Sequence, residues 1–320
     1  LPIPINRDTN GLVFFTRPDL NLSNTNIRSY RKMNALRNTD PSSLGRIIRC
    51  TLDPNLLKGR SEDDVDKNMT CPVIDNDQVF IPMMTNTCIS VSGFEDIELP
   101  ATATKPGPYG ESMMIADGIL DKLGTYDITT TFRNMSGSPI LHLLYYWSVY
   151  ASAVRQGLMR PRQNNILEHR IDYQTAIYRV ILDHSHRFVE NIARTGFSQP
   201  KYIPFGAVYN YEHDKPFNQA NEQISITWTG HGLYYQDDLL IRTFNMSVAA
   251  MNEDLGIPAN RAARYVKVPY EELMAFNHRG YPRINPSTRE MEWWVKREEY
   301  DMMTRDIILD SIPIEPKRSN

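Results

Sequence analysis

The stretch from Tyr126 to Gly157 constrains the fold most, because two different periodicities meet within it. In YDITTTFRN (126–134), positions 126, 128, 130 and 132 share one face of an extended chain and the intervening positions share the other, which predicts a half-buried strand. A turn, NMSGSP, follows, and Ser138 and Pro139 suit the cap and the first position of a helix. Apolar residues then recur at helical spacing until Gly157, which suits the position just after a helix end. The unit is a strand, a tight turn and an amphipathic helix.

The sequence after this helix predicts more strands and one short helix. Strand patterns are present in DYQTAIYRVILD (172–183), ISITWTGHGLYY (224–235) and DDLLIRTFNMS (237–247), and KYIPFGAVYNY (201–211) is predicted to lead into an aromatic strand. RFVENIARTG is predicted to form a short helix that Gly196 closes. The middle of the chain is therefore β-rich.

The two flanks differ from this middle. Residues 1–87 are rich in Asn, Asp, Arg and Pro and contain few long periodic runs, and residues 251–320 mix prolines, charged residues and aromatics. A chain of 320 residues can bury a full core, as one large or two modest domains. We predict an α+β, β-rich fold with an extended N-terminal arm or insertion region over 1–87, a β domain over 88–250, and a C-terminal arm with short helices over 251–320.

Charge and hydropathy argue against several classes of protein. The formal net charge is -3, whereas a dedicated nucleic-acid binder is usually clearly basic. The first residues, LPIPINRDTN, lack the basic start and apolar core of a signal peptide, and no run approaches the ~18 apolar residues of a membrane span. Cys50, Cys71 and Cys88 are widely spaced without a Cys-x-x-Cys pair, which favours free thiols in a reducing cytosol.

The residues that could carry catalysis are few. His184 and His186 would share a face if they lay on a strand and could then reach one metal ion, although no third ligand is marked. His231 lies between two glycines, in a turn that could expose a catalytic base or in a bulge beside a strand. No nucleophile elbow, phosphate-binding loop or zinc-protease motif is present. We predict no catalytic residues, no cofactor and no metal site; a metal-dependent hydrolase that uses the three histidines is the alternative.

Interaction residues are easier to propose. GLVFFTRPDLNL (11–22) is apolar and aromatic, although chain ends are usually polar unless something holds them. Our hypothesis is that Phe14 and Phe15 bury against an adjacent subunit and that Pro18 stiffens the exit; the alternative is that the stretch packs on its own domain. On the first hypothesis, deletion of residues 1–22 leaves a folded monomer that does not assemble.

Two further segments indicate partners. Trp293 and Trp294 are adjacent within REMEWWVKREEY, which is predicted to form an exposed amphipathic segment, so that one Trp packs at home and the other anchors an interface. Docking on a partner and packing within their own subunit remain equal alternatives for these two side chains. Glu95–Glu111 is dense in Pro and Gly and is predicted to be a functional loop or an interaction arm.

In layout, the middle of the chain resembles the tail-tube family of contractile-tailed bacteriophages. The resemblance covers roughly residues 88–250 and rests on the loop ESMMIADGILDKLG, the strand TYDITTTFRN and the helix SGSPILHLLYYWSVYASAVRQG with Trp147, followed by TAIYRVILD, PFGAVYNY, EQISITWTGHGLYY and LLIRTFN. FFTRPDLNL also resembles a run near the start of structural proteins of large phage virions. The family fold implies a tail-tube-like β-barrel or sandwich with one main flanking helix and extended arms at both ends.

The resemblance also implies a function. Six copies form a ring whose inner sheets close into one barrel, which removes exposed edge strands. Rings stack on neighbouring tube or baseplate proteins, and possibly on sheath, and DNA passes through the lumen without sequence-specific binding. Such a protein is a virion component that assembles in the host cytoplasm. The flanks are long for a repeating tube subunit, which favours a baseplate-proximal tube initiator. Another virion component, such as a connector or neck protein, is the alternative.

Overall fold

The computed structural model describes residues 11–56, 58, 69–118, 122–209, 213–214, 223–236, 238–273, 276 and 280–311. The strands are β1 (Gly11–Phe15), β2 (Cys88–Ser92), β3 (Ala101–Ala103), β4 (Met114–Ala116), β5 (Lys122–Arg133), β6 (Ile177–Leu182), β7 (Val189–Tyr202), β8 (Gln223–Tyr235), β9 (Tyr265–Lys267), β10 (Tyr281–Ile284) and β11 (Met291–Lys296). The helices are α1 (Asn24–Arg28), α2 (Leu44–Leu52), α3 (Pro82–Thr87), α4 (Pro139–Arg155), α5 (Gln163–Leu167), α6 (Phe205–Val208), α7 (Asp238–Met251), α8 (Glu253–Gly256), α9 (Pro258–Arg264) and α10 (Arg297–Ser311), with 3₁₀ helices at Arg31–Arg37 and Tyr270–Glu272.

A six-stranded antiparallel sheet in the order β1-β6-β7-β8-β5-β2 organises the molecule. Its two edge strands are joined by one segment: the Ile81 amide donates to the Phe15 carbonyl at 2.9 Å, and α3 then leads directly into β2 at the opposite edge. The sheet is therefore nearly closed. Strands β10-β11-β9 form a second sheet, and β3 and β4 pair as a hairpin. The predicted α+β, β-rich fold is confirmed.

The first hydrophobic cluster lies between one face of the six-stranded sheet and α4. Trp147 of α4 packs edge-on against Trp228 of β8, with ring centroids 5.7 Å apart, and both rings are fully buried. Each indole has a partner, because Trp228 Nε1 donates to Thr130 Oγ1 and Trp147 Nε1 to the Tyr173 carbonyl, both at 2.8 Å. The alternation predicted for β5 is confirmed, since its even-numbered residues face this cluster.

Residues 17–56 pack on the same cluster, which corrects the prediction of an extended arm over 1–87. Apolar side chains from this segment are fully buried beside those of α4 and the sheet: Leu20, Leu22, Ile27, Met33, Leu36, Ile48 and Leu52. The polar residues that made the segment look irregular bind its backbone instead. Asp53 accepts from the Leu22 amide at 2.8 Å and pairs with Arg162, and Arg17 Nε donates to the Thr51 carbonyl at 2.9 Å.

The second hydrophobic cluster covers the opposite sheet face, but only over β1, β6 and the start of β7. Helix α7 and the three-stranded sheet supply this cover. The predicted strand over 237–247 is wrong: from Asp238 onwards the segment is helical, because Leu240, Ile241, Phe244 and Val248 recur at helical spacing and meet on one buried face. The cover ends there, and β8, β5 and β2 carry no layer on this side among the described residues.

Some of the other local predictions are confirmed and some are wrong. The strand predicted over 172–183 is confirmed over Ile177–Leu182, and the strand over 224–235 and the helix after Ser138 are confirmed. Gly157 follows α4 with φ of 71°. The short helix predicted over 187–196 is wrong, because Val189–Tyr202 forms β7 between β6 and β8. Ser138 precedes the helix in a left-handed conformation without a side-chain cap, and Phe205–Val208 is a short helix where an aromatic strand was predicted.

Candidate interaction surface: a hydroxyl face, a free edge and a projecting hairpin

The uncovered part of the six-stranded sheet is lined by hydroxyl groups. Directly paired residues share a face, so the register places two rows across three strands, Ser92–Thr129–Thr227 and Ser90–Thr131–Ser225. We call the uncovered side of these strands the hydroxyl face; it also includes Thr125, Asp127, Arg133, Thr229, His231 and, from β7, Phe197 and Gln199. Thr131 Oγ1 and Ser225 Oγ lie 3.1 Å apart, so these two hydroxyls of the second row are hydrogen-bonded across strands.

The charge on the hydroxyl face is largely paired. Lys201 Nζ lies 2.6 Å from Asp127 Oδ2, and Thr229 Oγ1 donates to Asp127 Oδ1 at 3.2 Å. The hydrogen bond from Lys201 lowers the pKa of Asp127, so this carboxylate stays ionised and matched by its neighbour. Besides Lys201 of β7, Arg133 is the one Lys or Arg that residues 124–133 and 223–235 contribute to the face. The face therefore presents neutral donors and acceptors rather than a basic stripe.

Strand β2 is a free edge of the sheet. It pairs with β5 on one side, and among the described residues no strand pairs with its other side. Ile89 is about half exposed at a register shift between Cys88 and Ser90. An unpaired edge is a template for a further strand, so β2 is a place where the sheet can be extended.

A hairpin projects from the end of this edge strand. Gly93 has φ of 100°, and a Cβ there would lie 2.4 Å from the Asp127 carbonyl, so only glycine lets the chain leave the sheet at this point. Phe94 and the Glu95 carbonyl hold the base of the hairpin against Tyr235. Beyond them β3 and β4 pair with each other.

The hairpin exposes large apolar side chains. Tyr109 at the tip is 96% exposed and Met114 is 74% exposed, and four more residues are at least half exposed: Ile97, Leu99, Met113 and Ile115. A two-stranded hairpin with apolar side chains in water is only marginally stable alone, and such surface marks an interaction site. The interaction arm predicted at Glu95–Glu111 is thus half of this hairpin.

The chain was compared with protein families, curated proteins and solved structures. A family model described as "Putative phage tail tube protein" matches residues 1–309. The chain belongs to this phage tail tube family. The family assigns it to the structural proteins of phage tails. The chain matches none of the curated proteins compared with it.

Solved structures give weaker likenesses. The anti-feeding prophage cap that terminates its tube has a TM-score of 0.29 and 13% identity, covering 49% of this chain and 82% of that one. The sheath/tube terminator of an extracellular contractile injection system has a TM-score of 0.27 and 11% identity over 50% of this chain and 88% of that one. The sheath-tube complex of the same system has a TM-score of 0.29 and 14% identity over 49% and 82%. The assignment rests on the family model.

The first docking residues expected in this tail tube protein lie in its own core. Phe14 is 2% exposed and belongs to the second cluster, and Phe15 is fully buried in the first. Pro18 is also buried, between Arg17 and Asp19. The hypothesis that the two phenylalanines bury against an adjacent subunit is therefore corrected: β1 is a strand of the sheet, and the alternative of packing at home holds for both rings.

The two tryptophans lie on strand β11, not on an exposed amphipathic helix. Both are half-buried. The Trp293 ring lies 6.4 Å from Phe14, whereas Trp294 donates to Glu292 at 3.0 Å and lies under the Arg261 guanidinium at 5.1 Å. Both side chains thus have contacts at home, and their docking on a partner stays a prediction.

The three histidines are not brought together. His184 and His186 lie in the turn between β6 and β7, where Asp183 accepts from the amides of Arg187 and Phe188, so they do not share a strand face. His231 pairs with Phe197 on β7, roughly 26 Å along the strand from the end of that turn. Within the described part of the chain, no group of three His, Cys, Asp or Glu side chains could hold a metal ion, and no helix is long and apolar enough to cross a membrane.

Proposed function

We propose that six copies of the chain form a ring of the phage tail tube, or of its baseplate-proximal end, and that the hydroxyl face lines the channel through which DNA passes. The observation that carries this proposal is the uncovered, hydroxyl-rich side of β2, β5 and β8. Packed helices cover the other side of the same strands, so the two sides of this sheet meet different surroundings.

The hydroxyl face suits a surface along which DNA must slide. Lysine and arginine that neutralise phosphates release counterions and bind DNA strongly at low salt, which would hold the DNA in the channel. Hydroxyl groups such as those of Thr129 and Thr227 neutralise no phosphates and therefore release no counterions, and the Asp127–Lys201 pair adds no net charge. Transit without sequence-specific binding follows from this chemistry.

The free edge provides a route to ring closure. When the β2 edge of one copy pairs with a strand of the next, the hydroxyl rows that end at Ser90 and Ser92 continue from copy to copy. Closure of the ring also buries the half-exposed Ile89. The sheet of one subunit then becomes a sector of a barrel.

The projecting hairpin provides contacts beyond one subunit. Its exposed Met113, Met114 and Ile115 need an apolar surface, and methionines adapt to irregular ones. We assign to it the contact with a neighbouring subunit or with the next ring, and at the outer surface with baseplate or sheath proteins. Assembly in the host cytoplasm and packaging into the virion tail are part of this proposal.

Negative-stain electron microscopy of the purified protein, beside its mass in solution, tests the proposal. Six-fold rings with a central hole are expected; stacked tubes identify a repeating subunit and single rings a baseplate position. Rings of another order would indicate a connector or neck component. A protein that stays monomeric at all concentrations, alone and with tail proteins co-expressed, would overturn the proposal.

Two sets of variants locate the surfaces. Replacing Met113, Met114 and Ile115 by serine should leave the circular dichroism spectrum unchanged and abolish assembly. Replacing the similarly exposed Ile166 and Leu167 of α5 by serine is the matched control and should assemble normally. If both variants assemble alike, the hairpin has no role in association.

The channel lining is tested with added charge. Thr129→Lys with Thr227→Lys should leave rings intact, make them retain DNA at low salt and lose it as salt rises. The same two charges added outside the sheet, by Gln156→Lys and Gln163→Lys at exposed positions, should not cause retention of DNA within the ring. Equal retention by both variants would remove the hydroxyl face from the lumen.

A further inference from the structure

A groove lies on the outer side of α4, away from the hydroxyl face. It has a volume of about 230 Å³ and is open to solvent along one side. The aromatic rings of Tyr30, Tyr145 and Phe205 and the aliphatic side chains of Val149 and Ile203 line it. The Tyr145 and Phe205 rings meet edge-to-face with centroids 5.5 Å apart, so these two lining residues pack on each other.

The lining of this groove also includes polar groups. Lys32 and the hydroxyls of Ser148 and Ser152 line it beside the rings. An aromatic groove with a few polar groups at its edge is the surface that binds proline-rich, extended segments, because rings pack on proline and hydroxyls bond the backbone between prolines. The composition of the groove therefore suits an apolar extended segment.

Residues 1–5 of this chain, LPIPI, have that chemistry. Pro2 and Pro4 fix their own φ, and each keeps the residue before it extended. Two of the five positions also lack an N–H, so the segment is poorly suited to a sheet edge. The three aliphatic side chains, Leu1, Ile3 and Ile5, need an apolar surface, and the entropy lost on ordering is small.

The groove is out of reach for the same copy's residues 1–5. Gly11 lies beside Ile181 and, through it, Asn191 at the start of β7, whereas the groove lies beyond Tyr202 at the other end of that strand. Residues 191–202 span roughly 36 Å of extended strand. Residues 6–11 bridge at most roughly 21 Å.

We propose that the groove on α4 binds residues 1–5 of a second copy of this chain, so that each copy donates a proline-containing strap to a neighbour. The inference rests on the self-association proposed above and names one of its contacts. The strap lies on the outer side of the sheet, and it is separate from the β2 edge and from the hairpin.

A peptide-binding measurement tests the groove without needing a ring. The probe is a fluorescent synthetic peptide of residues 1–10, and the receptor is the full chain carrying Ile3→Asp and Ile5→Asp, so that its own strap cannot compete. Saturable binding is expected. Tyr145→Ala should weaken it by about fivefold or more through the lost ring contacts. Tyr234→Ala, at 40% exposure against 36% for Tyr145, is the matched control and should bind like the parent.

Three outcomes would overturn the proposal. The first is no saturable binding by a receptor with a native circular dichroism spectrum. The second is binding that neither Tyr145→Ala nor a groove-filling Ser148→Trp changes. A peptide of the hairpin, residues 95–118, that binds the groove in place of residues 1–10 would also overturn it and would assign the groove to the hairpin.

Cross-linking identifies the copy that donates the strap. A chain with Ile3→Cys is mixed with an isotope-labelled chain with Ser148→Cys, and a short bis-maleimide is added. A link between labelled and unlabelled chains is expected. In a second sample, one chain carries both substitutions, and cross-links found only within single chains would overturn the second-copy assignment. Rings without peptide binding would refute the strap alone, whereas peptide binding without rings would refute the proposed function alone.

Discussion

Phe14 and Phe15 are consecutive residues of one strand, yet they lie in two different hydrophobic clusters. The Phe14 ring contacts Phe80 and Phe244, with centroids 4.8 and 5.3 Å away. The Phe15 ring contacts Phe132 and Trp228 on the other side of the sheet, at 5.5 and 5.9 Å. Strand β1 therefore joins both layers of the molecule through adjacent side chains.

This relationship predicts that Phe15→Ala lowers the free energy of unfolding by about 3–5 kcal/mol, because a fully buried ring is removed from a packed site. Urea unfolding followed by tryptophan fluorescence measures it. Phe197→Ala, on the hydroxyl face with its ring about half exposed, is the matched control and should cost far less. Deletion of residues 1–22 removes β1 entirely, so we now expect a chain that does not fold, in place of the folded monomer expected from the sequence.

A second prediction concerns neighbouring threonines with opposite surroundings. Thr130 is fully buried and accepts from Trp228 Nε1, whereas Thr131 lies on the hydroxyl face beside Ser225. Thr130→Val leaves the indole N–H buried without a partner and should cost about 1–3 kcal/mol. Thr131→Val should cost a few tenths. Equal unfolding free energies for the two variants would show that the indole finds another acceptor.

The sequence predicted those elements whose periodicity is set by one covered and one bare side. Strands β5 and β8 alternate cleanly because helices cover one face and solvent meets the other. The same reasoning failed for β7, whose covered face changes along the strand, because the second cluster covers only its start and Phe197 further on is about half exposed. It also failed for α7, whose short apolar pattern fits both periods. Asp237 and Asp238 followed by apolar residues read as a strand, although Leu240, Ile241, Phe244 and Val248 also fit a helix.

The interaction surface was only partly visible in the sequence. The Pro- and Gly-rich stretch at Glu95–Glu111 was predicted to be an arm, and it forms half of the hairpin. The prediction that Phe14 and Phe15 bury against an adjacent subunit was wrong, because an aromatic run near a chain end can equally be a strand buried on both sides. The hydroxyl face needs the register of β2, β5 and β8, which places Ser92 beside Thr129 and Thr227, and no local pattern reports that.

A third prediction uses the buried Asp172. Burial raises the pKa of its carboxyl to about 6, although the Tyr150 hydroxyl donates to it. The folded state thus holds the proton more tightly than the unfolded state, so this group's effect on stability is favourable below pH 4 and is lost as pH rises to about 6. As the pH rises over that range, the parent should lose about 3 kcal/mol of unfolding free energy relative to Asp172→Asn, which has no carboxyl to titrate at this position. Urea unfolding at pH 4 and 7 checks it.

Asp96→Asn, on the exposed base of the hairpin, is the control for this comparison and should show no such widening. A constant difference for Asp172→Asn across the range would mean that the carboxyl is already ionised at pH 4. The assembly state must be monitored beside unfolding, since association also stabilises.

The last prediction concerns Glu292, which holds the three-stranded sheet together from a buried position. Burial alone would raise the pKa of this carboxyl, but hydrogen bonds from Asn285 and Trp294 and the charges of Lys267 and Arg283 outweigh it and lower the pKa below its usual value. A lowered folded pKa contributes stability above the unfolded pKa, and this contribution is lost as pH falls. Glu292→Gln leaves the partly buried Arg283 without its counter-charge, so it should cost about 2–4 kcal/mol at pH 7. The loss should shrink as the pH falls through the lowered pKa of Glu292, because the parent carboxyl then gains a proton itself. Glu298→Gln, at an exposed position at the start of α10, is the control and should cost little stability at either pH. If Glu292→Gln were as stable as this control, the Lys267–Glu290 ion pair alone would be enough to hold the three-stranded sheet.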